Sequence, residues 1–261
     1  MDLGLHDRSV VVLAGTSGLG LGAASSLVEA GATVTVCSRR QSNLDEARAH
    51  LEALDGGEVR TVTCDITDPD DIAALVEGTV AATGGLDHLV ASTGGVPPGG
   101  LADLDDREWY QAFDLLVMSL VWTIDAARDH LAESPGGSIT VITSTSVREP
   151  LVGLTLSNVV RRGVIGLVKT AALELAPDVR VNAVLPSAFD TPRIQELIDD
   201  AVESGRQPDR EAARAAWVED IPLSRLGDPR ELGDMIAVLT SDRASFVTGA
   251  CLPVDGGRLR S

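Results

Sequence analysis

The sequence predicts an α/β fold, a doubly wound parallel sheet with helices on both faces. Three observations carry that expectation. Short β-branched runs recur along the chain, each followed by a longer stretch with helical spacing, and such alternation builds parallel sheets through crossover helices. The 261 residues are 44% hydrophobic, enough to bury a large core. Aromatics make up only 3%, so that core must be built from Val, Leu, Ile and Ala.

Taken in order, residues 10–14, 33–37, 59–64, 88–91, 138–143, 179–185 and 250–254 read as seven buried strands. Residues 18–30, 43–54, 70–82, 107–131, 156–176 and 230–241 read as the helices between them. No Pro/Ser-rich linker and no long-period repeat divides the chain, so residues 1–261 are expected to form one domain. Residues 187–221 interrupt the rhythm with two helical stretches, 191–204 and 210–219. An excursion near the carboxyl ends of the strands reads as a substrate lid. Its Phe189, Ile194, Leu197, Ile198 and Trp217 suggest an apolar portion of the substrate.

The formal charge is −18, from 25 Asp and 14 Glu against 20 Arg and the single Lys169. A field of that sign repels nucleic acid and anionic membrane, leaving a small-molecule substrate as the expected partner. Scarce Lys fits a GC-rich genome, but the excess acid suggests a halophilic source. Cys37, Cys64 and Cys251 are odd in number, far apart and set in apolar runs, so they read as reduced core thiols of a cytoplasmic protein. His6, His50, His88 and His130 lack metal-ligand spacing, and no metal is expected. No apolar stretch approaches the roughly 18 residues of a membrane span, and the first residues lack the basic region of an export signal.

After the first strand comes Ala14-Gly15-Thr16-Ser17-Gly18-Leu19-Gly20-Leu21-Gly22. Glycines at a strand-to-helix turn let backbone approach a pyrophosphate, and the helix N-terminus offers N–H groups and positive dipole. Gly15, Thr16, Ser17, Gly18, Leu19 and Gly20 are therefore candidate dinucleotide contacts, although the strict G-x-G-x-x-G spacing is absent. The second strand ends in Ser38-Arg39-Arg40. A carboxylate there would favour NAD(H); serine and arginines leave room and charge for a 2′-phosphate, so NADP(H) is expected over NAD(H). Asp65-Ile66 after the third strand reads equally as an adenine contact or a polar strand end.

Together these features resemble the short-chain dehydrogenase/reductase family. The resemblance also rests on Gly137–Ser144, Arg180-Val181-Asn182-Ala183-Val184-Leu185-Pro186, Arg225-Leu226-Gly227-Asp228-Pro229, and Val247-Thr248-Gly249 with Val254-Asp255-Gly256-Gly257. It implies a Rossmann-type sheet of about seven strands, usually in a homotetramer or homodimer. It places Thr93 and Gly94 beside the cofactor, Pro186, Ser187 and Thr191 near the nicotinamide carboxamide, and Ser144 at the substrate carbonyl.

The departures bear on chemistry. The family's opening Thr-Gly is Leu13-Ala14 here, and its Asn-Asn-Ala-Gly is Ala91-Ser92-Thr93-Gly94. Its catalytic asparagine aligns with Leu116, and its Tyr-x-x-x-Lys aligns with Ser157-Asn158-Val159-Val160-Arg161. No shifted register supplies the tyrosine: the single Tyr110 lies on another helix and reads as a packing residue. An alkyl hydroxyl cannot replace a phenol as acid, and arginine stays protonated at neutrality. Ser144, Ser157 and Arg161 could still form a variant catalytic site that stabilises a developing alkoxide while water supplies the proton. Thr143, Ser146, Arg148 and Glu149 lie nearby, with Glu149 read mainly as a surface partner of Arg148. The expectation is an NADP(H)-dependent oxidoreductase interconverting a carbonyl and a secondary alcohol, with 3-oxoacyl substrates leading. The alternative is a catalytically silent NADP(H)-binding homologue, a sensor or an oligomer partner.

Overall fold

A computed structural model describes residues 2–260. Seven parallel strands form one sheet in the order β3-β2-β1-β4-β5-β6-β7. They are β1 (Ser9–Val12), β2 (Thr33–Ser38), β3 (Val59–Thr63), β4 (His88–Ala91), β5 (Ser138–Ile142), β6 (Arg180–Pro186) and β7 (Cys251–Val254). The order reverses between β1 and β4, and a crevice opens there at the strand carboxyl ends.

Alternation along each strand feeds both faces of the sheet. Val11, Leu89, Ile139 and Val181 pack toward α3 (Pro69–Thr83), α5 (Ser119–Glu133) and α6 (Thr155–Glu174). Val10, Val12, Val34 and Val36 pack toward α1 (Gly18–Glu29) and α9 (Pro229–Thr240), while α2 (Gln41–Glu52) covers the edge. Among the described residues Phe189 is the one Phe, Trp or Tyr in the buried core. Helices α1 and α9 touch backbone to backbone: a Cβ on Gly22 would lie 2.3 Å from Pro229 O, and one on Gly233 2.2 Å from Gly22 O. Gly22 therefore serves helix packing, not the turn before it.

Two expected elements differ. Ala14 leaves the first strand and enters the turn with φ +46°. The long helix expected over 107–131 is broken into α4 (Asp106–Phe113), a π turn (Asp114–Met118) and α5. Ser119 explains the break. Its N–H bonds Asp114 O, five residues back, while its hydroxyl takes Leu115 O at 2.6 Å, the carbonyl an α-helical N–H would have used. Tyr110 is also corrected: it is 73% exposed on the outer face of α4, whose one buried residue is Ala112.

The excursion after β6 carries α7 (Pro192–Glu203) and α8 (Arg210–Val218). These close on a small core of Ala188, Ile194, Ile198, Ala213, Ile221 and Leu226. At the opposite end of the sheet, Asp87 accepts from Arg8 Nη1 (2.9 Å), Ser9 N (2.7 Å) and the Ser134 hydroxyl. Beside it the buried His88 shares a hydrogen bond with Ser138 Oγ (3.0 Å), and burial pushes its pKa down to about 4. Among the described residues no helix is long and apolar enough to cross a membrane, and no cluster of ligating side chains suits a metal ion.

Candidate active site

The crevice is a cleft of about 1130 Å³, running from the ends of β2 and β3 past β1 and β4 to the loop after β5, with α7 and α8 above it. Its floor at the switch point is the turn from Ala14 to Gly20. A Cβ on Gly15 would lie 2.8 Å from Val36 Cγ1, and one on Gly20 2.5 Å from Ala14 O, so the turn closes only with glycine at both. Helix α1 starts there without a side-chain cap and without an acid in its first turn. Helices α2, α5 and α6 also start without a side-chain cap, whereas α3, α4, α7, α8 and α9 are capped by Asp68, Asp105, Thr191, Asp209 and Asp228. An uncapped helix N-terminus aimed into a cleft leaves its first N–H groups for an anion, and a dinucleotide pyrophosphate fits it.

Toward β2 and β3 the cleft wall carries Ser38, Arg39, Arg40, Asp65 and Ile66. Arg39 Nη1 stands 3.9 Å from Asp65 Oδ2 and remains largely exposed. Asp65 Oδ1 accepts from Thr67 N (2.9 Å) and Thr67 Oγ1 (2.7 Å). Burial works against the Asp65 charge, but these hydrogen bonds and Arg39 prevail and hold its carboxyl below the usual range. Beneath this wall lie two of the thiols expected to be separate core residues. Cys37 and Cys64 are both buried there. Both line the cleft.

At the centre, Arg161 projects inward from α6 and is buried. Its Nη2 donates to Gly94 O at 2.6 Å and its Nη1 points to Ile142 O at 3.5 Å. None of its partners is a carboxylate, and burial alone draws its pKa down to about 10. It is still a full cation at neutrality. Ser144 Oγ accepts from Ser146 N (3.1 Å), and no described residue takes its hydroxyl proton. Ser157 lines the cleft, but its hydroxyl pairs with Ser146 Oγ at 3.2 Å. Thr143 Oγ1 is spent on Val184 O (3.0 Å). Arg148 reaches Cys251 O (3.1 Å), and Glu149 lies 3.5 Å from Arg260 N. Asn158 clamps Leu151 through both its main-chain groups and shapes the loop before α6.

Thr93, Gly94, Pro186, Ser187 and Thr191 all line the same cleft. The Ser187 hydroxyl turns away to Asp255 O (2.9 Å), so Ser187 offers backbone to the cleft. Thr191 caps α7 and sits over Gly18, whose Cβ would come within 3.5 Å. From the lid, Phe189, Ile194, Leu197 and Trp217 reach the cleft, whereas Ile198 belongs to the lid's own core. Sequence reading missed Gln111 on α4, Asp114 at the π turn, and Arg193 and Arg258. Arg193 ties the lid across the mouth, donating to Val96 O at 3.1 Å while paired with Glu196. No local pattern announces such residues, because lid and C-terminal segment meet the cleft only through the tertiary fold.

The family model described as enoyl-(acyl carrier protein) reductase matches residues 13–258. Dehydrogenase/reductase SDR family member 4 of Oryctolagus cuniculus is 32% identical over 256 residues, covering 97% of this chain and 94% of the relative. The chain belongs to the short-chain dehydrogenase/reductase family of oxidoreductases. Among solved structures of similar chains, L-sorbose reductase from Gluconobacter frateurii, complexed with NADPH and L-sorbose, superposes with a TM-score of 0.94 at 27% identity over the full length of both. An NADPH-bound short-chain oxidoreductase from Pseudomonas aeruginosa PAO1, described as containing an atypical catalytic center, matches with a TM-score of 0.87 at 27% identity over 98% of each chain. Within this short-chain dehydrogenase/reductase fold, Leu116, at the family asparagine's position, is fully buried in the sheet-facing core and offers no polar group.

Proposed function

We propose that this protein is an NADP(H)-dependent oxidoreductase that interconverts a carbonyl and a secondary alcohol without a tyrosine acid. The observation that carries the reading is the buried Arg161, unpaired with any carboxylate, in one cleft with Ser144 and the uncapped glycine turn. Gly15 to Gly20 would hold the pyrophosphate, Arg39 and Arg40 the 2′-phosphate, and Thr93, Gly94, Pro186, Ser187 and Thr191 the nicotinamide half. Bound there, NADP(H) supplies or accepts the hydride. Ser144 donates its free hydroxyl proton as a hydrogen bond to the substrate oxygen. Arg161 adds fixed positive charge where an alkoxide develops, and preorganised donors of this kind are each worth about 10²–10³ in rate. Ser157, paired to Ser146, positions the wall, and water admitted through the cleft supplies the proton. Loss of a general acid costs about 10²–10⁴, so the enzyme is expected to be slow beside relatives that keep tyrosine.

Among substrates, 3-oxoacyl thioesters lead, sharing the acyl thioester but not the reducible bond of the enoyl substrate that the family model names; a ketose is the second class, in keeping with the sorbose reductase likeness. The protein is taken as a homo-oligomer, supported by exposed Tyr110 and Phe113 on α4 and Val159 and Leu173 on α6. The −18 charge supports a high-salt setting. The test is NADPH consumption, followed by nicotinamide absorbance in low and molar KCl, over acetoacetyl thioesters, small ketones and ketoses. Turnover supports the reading. Tight NADPH binding with silence across the panel supports the non-catalytic binder, and absence of NADPH binding refutes both.

A further inference from the structure

The cofactor and the reacting carbonyl leave one cation in the cleft unused. Five arginines line the cleft, Arg39, Arg40, Arg161, Arg193 and Arg258, against the three carboxylates Asp65, Asp114 and Glu196, in a chain whose formal charge is −18. Arg39 faces Asp65, Arg161 is anchored on Gly94 O, and Arg193 is committed to Glu196 and Val96 O. Of the five, Arg40 and Arg258 alone have guanidinium groups that pair with no described residue. Arg40 adjoins Arg39 at the adenosine end. Arg258 is unclaimed.

A built turn presents it. Gly256 and Gly257 follow β7 in left-handed backbone, φ +66° and +88°. The Asp255 carboxylate accepts from Gly257 N (3.0 Å) and Leu259 N (2.8 Å), so its oxygens are spent on the turn and Arg258 sits between two N–H groups pinned to one side chain. The Asp255 carbonyl accepts from the Ser187 hydroxyl (2.9 Å), which ties the turn to the end of β6. Two residues beyond Arg258, Arg260 N lies 3.5 Å from Glu149 Oε1 in the loop after β5. These ties place Arg258 on the β5–β6 side of the cleft, with Ser144 and the lid. Arg39 and Arg40 lie across the switch point, after β2.

A half-buried cation without a counter-ion, in a protein with acid to spare, is a site for an anion that the chain does not itself supply. Arginine's planar fork pairs with two oxygens of a carboxylate or a phosphate at once. The phosphates of NADP(H) are already met at the glycine turn and at Arg39 and Arg40. We infer that Arg258 binds a compact oxyanion, a carboxylate or a phosphate, at the far end of the carbonyl substrate, an inference that deepens the oxidoreductase reading above and rests on it. Ser144 and Arg161 meet the reacting oxygen, and Arg258 holds the other end of the same molecule. Phe189, Leu197 and Trp217 line the same cleft and suit an aliphatic spacer between the two polar ends. Within the thioester and ketose classes, this singles out members that carry an anionic group beyond the reacting carbonyl.

Matched pairs of probes test it: 5-oxohexanoate and 6-oxoheptanoate beside their methyl esters for a carboxylate, and fructose 6-phosphate beside fructose for a phosphate. Steady-state NADPH oxidation gives kcat and KM, and calorimetric titration into the NADP⁺-loaded protein gives Kd without turnover. In at least one pair the charged member should be preferred by about tenfold or more in KM and Kd, with kcat little changed. The pair that shows it tells carboxylate from phosphate. Arg258→Gln should erase the preference and leave the neutral members as they were, while Arg258→Lys should keep part of it. Arg260→Gln removes the same charge two residues on, outside the cleft lining, and should keep the preference whole. Absence of a preference in every pair, or one that survives Arg258→Gln, overturns the inference. A preference in Kd without any turnover instead fails the reductase reading and keeps Arg258 as the anion site.

Discussion

Arg161 on α6 donates to Gly94 O, 2.6 Å away in the loop after β4, so the cation at the centre of the cleft is anchored by main chain and not by a carboxylate. Burial draws its pKa down to about 10. Chemistry that depends on the cation is present below that pH and lost as pH rises through it. Lysine's reference pKa lies about two units below arginine's. In Arg161→Lys the alkaline fall of kcat/KM should therefore begin about two pH units earlier. A pH profile unchanged by the substitution would show that the charge takes no part.

Arg39 stands over the adenosine end, mostly exposed and 3.9 Å from Asp65. A charge-assisted contact to a 2′-phosphate is worth about 1.5–3 kcal/mol, roughly ten- to a hundredfold in affinity. Arg39→Asp should weaken NADPH by that factor and leave NADH nearly unchanged in parallel titrations. Equal weakening of both would remove Arg39 from phosphate recognition.

Ala14 occupies a left-handed backbone position, φ +46°, that costs a residue with a Cβ about 1–2 kcal/mol. Ala14→Gly relieves that strain but adds about 0.5–1 kcal/mol of unfolded-state freedom. The net expectation is a gain of about 0.5–1 kcal/mol, seen as a higher denaturation midpoint. A lower midpoint would mean that the methyl group packs better than the strain costs.

His88 is buried against Ser138 with its pKa lowered to about 4, below the unfolded value of about 6.5. The unfolded chain therefore binds the proton first as pH falls. Stability linked to neutral His88 is intact above about pH 6.5 and declines toward pH 4, by roughly 3 kcal/mol over the window. His88→Asn should flatten urea-unfolding free energy across that range. An identical slope in the variant would assign the acid sensitivity to other groups.

The fold was legible because strand and helix periods differ and most strands are rich in β-branched residues. Only chain ends of elements and the π turn escaped, the latter because it depends on one hydroxyl, that of Ser119, outbidding an N–H for Leu115 O. The glycine turn was legible for a similar reason: Gly15 and Gly20 are demanded by local close approach. What stayed hidden was set by contacts between distant segments. Cys37 and Cys64 lie apart in sequence, and the β2–β3 pairing brings both to the wall of one cleft. Ser157 aligns with a catalytic tyrosine, yet its hydroxyl turns to Ser146. Tyr110 sat in a helix but on its outer face, a matter of helix rotation that the short segment could not fix.

The account stands most directly on Ser144, whose hydroxyl accepts from Ser146 N and gives its own proton to no described residue. The decisive measurement is steady-state NADPH oxidation by wild-type and Ser144→Ala protein on the best carbonyl substrate, with NADPH affinity measured alongside. A fall in kcat of about 10²–10³ at unchanged NADPH affinity is the predicted result. Equal turnover by the two proteins would contradict a reductase that polarises its substrate through Ser144.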